Sequence, residues 1–228
     1  MSGASAFRIV QSSSGAVRVD AAAAFLRGFP ADHPVNIVAF SRGAADDLAR
    51  AVAVERGATF GVARYSLTQI AARGAAAQLA GRGIAPSTAL GGRAVAARAT
   101  FDGMTDGMLD YFAGVAGRPG FPVALAATLD ELRTARVPVS SLHRVTGPGV
   151  DLARLLERAE GVSQEAATAD RADLLLAAAE GVAHDGAFAV PLLLLDVAVS
   201  SRAEERFVGA LIARATHVCV TLPVHIAV

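Results

Sequence analysis

The chain has 228 residues, 53% hydrophobic and 18% charged, which is long enough to bury a core and too apolar for a disordered tail. Its 21 basic and 21 acidic residues cancel, so no global field draws it to bare nucleic acid or an anionic membrane, and any DNA contact must be local. All 21 basic residues are arginine, which excludes the lysine of a Walker A loop, of a Schiff base and of a PD-(D/E)XK nuclease site.

In chain order, AFRIV (6–10) reads as a short strand, followed by the Ser/Gly loop Gln11–Arg18 and an alanine-rich helix through about Arg27. The apolar run VNIVAF (35–40) suits a strand covered on both faces, and Ser41-Arg42 lead from it into a helix. In that helix Ala44, Ala45, Leu48, Ala51 and Val52 share one face, and Asp46 and Arg50 are spaced to pair on the other. From 66 to 183 no strand is expected, only helices over 66–80, 89–101, 104–115, 121–135, 151–160 and 164–182, separated by breakers such as GRPGFP and TGPG. The α/β pattern returns with VPLLLLDVAV (190–199), a helix opened by the capping box Ser201-x-x-Glu204, and the strand HVCVTLPV.

Strands alternating with helices predict an α/β fold with a parallel sheet, formed by 1–65 and 184–228, carrying an inserted helical subdomain at 66–183. The lone Cys219 sits in an apolar strand and reads as a buried thiol, consistent with a cytoplasmic setting. The opening MSGASAFRIVQSSSG has no signal-peptide pattern, and Pro191 interrupts the longest apolar stretch well below membrane-spanning length. HVCVTLPV has no helix after it, so an uncovered sheet strand, possible edge pairing and self-association are expected there.

Three constellations could carry chemistry. Ser14, Gly15 and Arg18 stand where a P-loop would, after the first strand and before a helix, but Ala16-Val17 replace the Lys-Ser/Thr that must follow the glycine, so nucleotide hydrolysis is not expected. Ala39-Phe40-Ser41-Arg42-Gly43 approaches the G-x-S-x-G nucleophile elbow, with Asp196 and His217 or His225 in the right chain order for a triad. Ala39 crowds that turn and no oxyanion segment is visible, so Ser41 reads better as a helix N-cap. Asp196 ends an apolar run as a Walker B acid does, yet Val197 follows in place of the glutamate base; the simpler expectation is an acid that bonds loop amides.

The histidines show no metal-ligand spacing and are expected on loops or the surface. Phe40, Phe60, Tyr65, Phe101 and Tyr111 are placed in the core, although aromatics can also stack on bases. Between 58 and 100 no acid interrupts Arg64, Arg73, Arg82, Arg93 and Arg98, the one local hint of a phosphate-facing surface.

The segments VNIVAFSRGAADDLARAV, GATFGVARYSLTQIAARGA and LLLLDVAVSSRAEERFVGAL together resemble the amino-terminal helicase-like lobe of AddB-type and related PD-(D/E)XK nuclease proteins of bacterial recombination. That resemblance implies a P-loop-NTPase-like, superfamily-1 helicase lobe that is catalytically degenerate, takes no cofactor and serves as a DNA-repair scaffold. It implies further helicase-like and nuclease domains or subunits as partners, and contact with single-stranded DNA at Ser41 and Arg42, to which Arg64 of the acid-free arginine run is added as a candidate. The degenerate nucleotide site would comprise Ser14, Gly15, Arg18 and Asp196. A serine hydrolase using Ser41 and a non-catalytic protein-interaction module are the alternatives.

Overall fold

The computed structural model describes residues 6–224. Its elements are β1 (Ala6–Ser12), α1 (Gly15–Arg27), β2 (Val35–Ala39), α2 (Arg42–Arg56), β3 (Val62–Ser66), α3 (Leu67–Gly81), β4 (Ala85–Pro86), α4 (Ala89–Thr105), α5 (Phe121–Thr134), α6 (Val139–Leu142), α7 (Gly149–Glu165), β5 (Thr168–Ala169), α8 (Arg171–His184), β6 (Leu192–Leu195), α9 (Arg202–Arg214) and β7 (His217–Pro223). They divide into two units: one runs up to residue 75 and takes in 178–200 and the segment from 207 onward, and the other holds 76–177 and 201–206.

The first unit is an α/β sheet of five parallel strands in the order β1-β7-β6-β2-β3. The central strands β2 and β6 are buried along their whole length, as their largely apolar sequences require, with Asn36 the one polar residue among them. Residues Arg8, Cys219, Leu193, Ile37 and Arg64 lie in one register row, with arginine at each edge and three fully buried side chains between. Leu26 of α1 and Leu48 and Val52 of α2 belong to the same core as Ile37 and Leu193. Burying each such side chain contributes roughly 1.5–3 kcal/mol. Burial also pushes the Cys219 thiol above its ordinary pKa, as expected for an inert strand cysteine.

Several expectations are overturned. β7 is interior, paired with β1 on one side and β6 on the other, so HVCVTLPV is not an edge strand and offers no open amide row for self-association. The edges are β1 and β3. The strand β3 was not expected because VARYS has no apolar run; at an edge it is only half-buried and tolerates Arg64. On α2, Ala49 is buried and Ala51 exposed, and the Asp46–Arg50 pair does not form: Asp46 binds Arg42 and Arg64, while Arg50 pairs with Asp47.

In the second unit α4, α5 and α7 share a core that includes Ala96, Ala99, Leu125, Leu129, Leu155 and Leu156. The helix expected over 104–115 is absent. Instead α4 stops at a Schellman-type turn, with Gly107 at φ 65° and the Met108 amide donating to the Gly103 carbonyl at 2.9 Å. The irregular stretch that follows is pinned by Asp151, 1% exposed, whose carboxylate accepts the Asp110 amide at 3.0 Å and the Phe112 amide at 2.9 Å. The expected break near 160 also moves: α7 continues through Gly161 to Glu165, and Ala167 (φ 50°) turns the chain before α8. Arg133 of α5 joins Glu160 of α7, Asp170 just before α8 and Asp173 within α8 in one ion cluster. The Ser201–Glu204 capping box forms as expected, each side chain bonding the other's backbone amide.

Among the described residues no helix is long and apolar enough to cross a membrane.

Candidate functional site

In an open parallel sheet, ligands bind beyond the carboxyl ends of the strands where successive connections leave in opposite directions. Here that point lies between β2, whose connection runs outward to β3, and its neighbour β6, whose connection runs the other way to β7. Val10, Thr221, Leu195, Ala39 and Ser66 form the last full register row before this edge. Immediately beyond it stand Asp196 after β6 and Phe40, Ser41 and Arg42 after β2, with the Phe40 amide donating to the Leu195 carbonyl at 3.1 Å.

The structure brings Arg18 and Asp196 together, although they are 178 residues apart in sequence. Arg18 Nε donates to both carboxylate oxygens at 2.9 and 3.0 Å, and its Nη1 reaches the Ser12 carbonyl at the end of β1. The fully buried Thr221 Oγ1 donates to Asp196 Oδ1 at 2.8 Å, while the Asp196 amide donates to Thr221 at 3.1 Å. Asp196 therefore bonds a guanidinium and a hydroxyl, not the loop amides expected of it. It does so in the left-handed backbone region, φ 52°, which aspartate tolerates better than most residues.

This pair changes what the loop before α1 can do. Arg18, in the first turn of α1, is committed to an internal acid, and the two side chains of the pair are only 11% and 17% accessible to solvent. Ser14 is the N-cap of α1, accepting the Val17 amide at 3.5 Å, and Ser12 Oγ accepts the Ser14 amide at 3.1 Å. Gly15 has no positive φ, and a Cβ added there would meet only Arg18 Nη2 at 3.9 Å, an ordinary contact. A phosphate-cradling glycine is required by close backbone approach, and Gly15 shows no such requirement.

Ser41 caps α2, its Oγ accepting the Ala44 amide at 3.2 Å from an extended backbone. The triad order Ser41, Asp196, His217 does not assemble. Asp196 is held by Arg18 and Thr221, and His217 begins β7, at the amino edge of the sheet, where it packs edge-on to Phe29. His225 lies outside the described residues. Among the described residues no group of histidine, cysteine, aspartate or glutamate side chains is placed to hold a metal ion.

Beside Ser41, Arg42 and Arg64 converge on Asp46, Nε to Oδ1, at 3.1 and 3.5 Å, with about two-fifths of each arginine side chain exposed. Sequence reasoning selected both arginines but missed Asp46 as their common partner, which only the packing of α2 beside β3 makes visible. Thr221 was missed for a similar reason: its role follows from the register of β7 against β6. The aromatics placed in the core by periodicity are largely outside it, since Phe40 is 67%, Phe60 69%, Phe101 63% and Tyr111 60% exposed. Phe40 follows the last residue of β2, where the strand leaves the sheet and its alternation no longer points inward.

Compared with models of known protein families and with curated proteins, the sequence matches none of them.

Proposed function

We propose that this chain is a catalytically degenerate, helicase-like scaffold lobe of a PD-(D/E)XK-nuclease-type DNA repair or recombination protein, and that it touches single-stranded DNA beside the α2 N-terminus. The observation that carries this proposal is the Arg18–Asp196 ion pair. An active P-loop enzyme keeps a lysine for phosphate directly after the loop glycine and an acid for magnesium; here Ala16 follows Gly15, and the nearby Arg18 and Asp196 neutralise each other. A fold with that internal closure is suited to holding partners and substrate rather than turning over nucleotide. The switch point between β2 and β6 remains, with Arg42 and Arg64 as the nearby cations and the α2 N-terminus contributing its dipole. Further helicase-like and nuclease domains or subunits are the partners that such a lobe implies.

Binding of a labelled oligothymidylate at several salt concentrations tests the DNA contact. Each phosphate contact on a single strand contributes about 0.7 to the slope of log K against log salt, so Arg42→Ala/Arg64→Ala should flatten that slope by about 1.4. Asp46→Asn removes the acid that both arginines share and should tighten binding. Indifference of binding to all three substitutions would exclude this surface.

A further inference from the structure

Helix α4 is apolar on two faces. One face packs inward through Ala96, Ala99, Thr100 and Gly103. The other is an exposed stripe of Leu90, Ala94, Ala97, Phe101 and Met104, whose spacing of four, three, four and three residues is the heptad spacing of a helix-pairing seam. Leu90 is 75%, Phe101 63% and Met104 46% exposed, values that isolate these large side chains from their own unit's core. The stripe spans about 21 Å at 1.5 Å per residue. Its ends are bulky and its middle, Ala94 and Ala97, is small, a profile that admits the side chains of a second helix lying along it.

The well-exposed charges that flank the stripe are arginines. Arg93 and Arg98 are exposed on either side, and the acid-free run from 58 to 100 supplies no carboxylate to this part of the helix. Arg98 Nε engages the carboxylate of the following Asp102 at 2.9 Å, but that acid is only 15% exposed while the Arg98 side chain is 65% exposed. We propose that this face of α4 docks an amphipathic helix of a partner protein, one with an apolar seam of heptad spacing flanked by glutamate or aspartate. A second copy of the chain is disfavoured because it would set arginines against arginines. A nucleic acid strand is disfavoured because the centre of the surface is an uncharged apolar seam, whereas phosphates call for cations along the track.

The test uses the full chain and a fluorescein-labelled designed helix of three heptads, with leucine at the seam and glutamate on the flanks, at nanomolar concentration. A control peptide carries lysine on the flanks. Anisotropy should show the glutamate peptide binding at least tenfold tighter than the lysine peptide, with Leu90→Glu and Phe101→Glu each weakening it at least tenfold. Arg93→Glu/Arg98→Glu should reverse the preference between the two peptides, a gain that misfolding cannot produce. Equal or absent binding of the two peptides, or indifference to Leu90 and Phe101, would overturn the proposal. Displacement of the peptide by oligothymidylate, or a dimer in sedimentation that Phe101→Glu dissolves, would assign the face instead to nucleic acid or to a second copy.

Discussion

Removing the guanidinium of Arg18 is the sharpest perturbation of the crevice. Arg18→Met keeps an unbranched apolar stem but deletes two hydrogen bonds to Asp196 and one to the Ser12 carbonyl. Asp196 would then keep the Thr221 hydroxyl as its side-chain donor, while remaining a largely buried anion. Breaking a fully buried pair from one side costs about 3–5 kcal/mol, and the slight solvent access here puts the expected loss near the lower bound, about 3 kcal/mol. The double variant Arg18→Met/Asp196→Asn leaves no orphaned charge, and asparagine accepts the left-handed backbone at 196. It should therefore be more stable than Arg18→Met by about 1 kcal/mol or more, a non-additivity that reports the pair directly. Because the chain divides into two compact units, hydrogen exchange through β6 and β7 is the assay, supported by guanidinium unfolding followed by ellipticity. A loss below about 1 kcal/mol in Arg18→Met, or a double variant that costs the sum of its parts, would refute the view that this pair closes the site.

Ser41→Ala should cost about 1 kcal/mol through loss of the α2 cap and should remove no esterase activity; stoichiometric labelling of Ser41 by a fluorophosphonate would contradict this. Asp151→Ala leaves the Asp110 and Phe112 amides without their acceptor and should destabilise the helical unit by about 2–4 kcal/mol, read from exchange in 106–120 and α7. Burial, then the neighbouring Asp170, hold the Asp173 carboxyl above its ordinary pKa despite Arg133. Its folded form thus binds a proton more readily than its unfolded form, so its contribution to stability falls as pH rises from the ordinary aspartate value through the raised one. Asp173→Asn should flatten that part of the pH–stability curve of the helical unit, and an unchanged slope would remove Asp173 as its source.

The parts of this molecule that sequence reasoning reached are those written in local pattern. VNIVAF, with Asn36 its one polar residue, and VPLLLL, ahead of Asp196, are apolar because β2 and β6 are buried on both faces, and the Ser201–Glu204 box is a reciprocal bond within four residues. The parts it missed are set by distant partners. VARYS forms an edge strand because β2 offers it a register, not because its own side chains demand one. The 106–120 stretch is turned rather than helical because a buried carboxylate from α7, about 40 residues away in sequence, takes its amides. In the site, the types and places of Arg18 and Asp196 were legible as departures from a P-loop pattern. That the two satisfy each other, with Thr221 as third member, depends on strand order: β7 lies between β1 and β6, which placed its threonine at the Asp196 carboxylate. The expectation of an open carboxyl-terminal edge failed on the same fact.

The helicase-like scaffold proposal stands most directly on one titration: oligothymidylate binding to the unaltered chain at two salt concentrations, each with and without magnesium ATP. The predicted result is binding that weakens with salt and is the same in both nucleotide conditions, since Arg18, the arginine beside the Ser14-Gly15 loop, is committed to Asp196. An absence of DNA binding at low salt, or binding that ATP shifts severalfold, would contradict it.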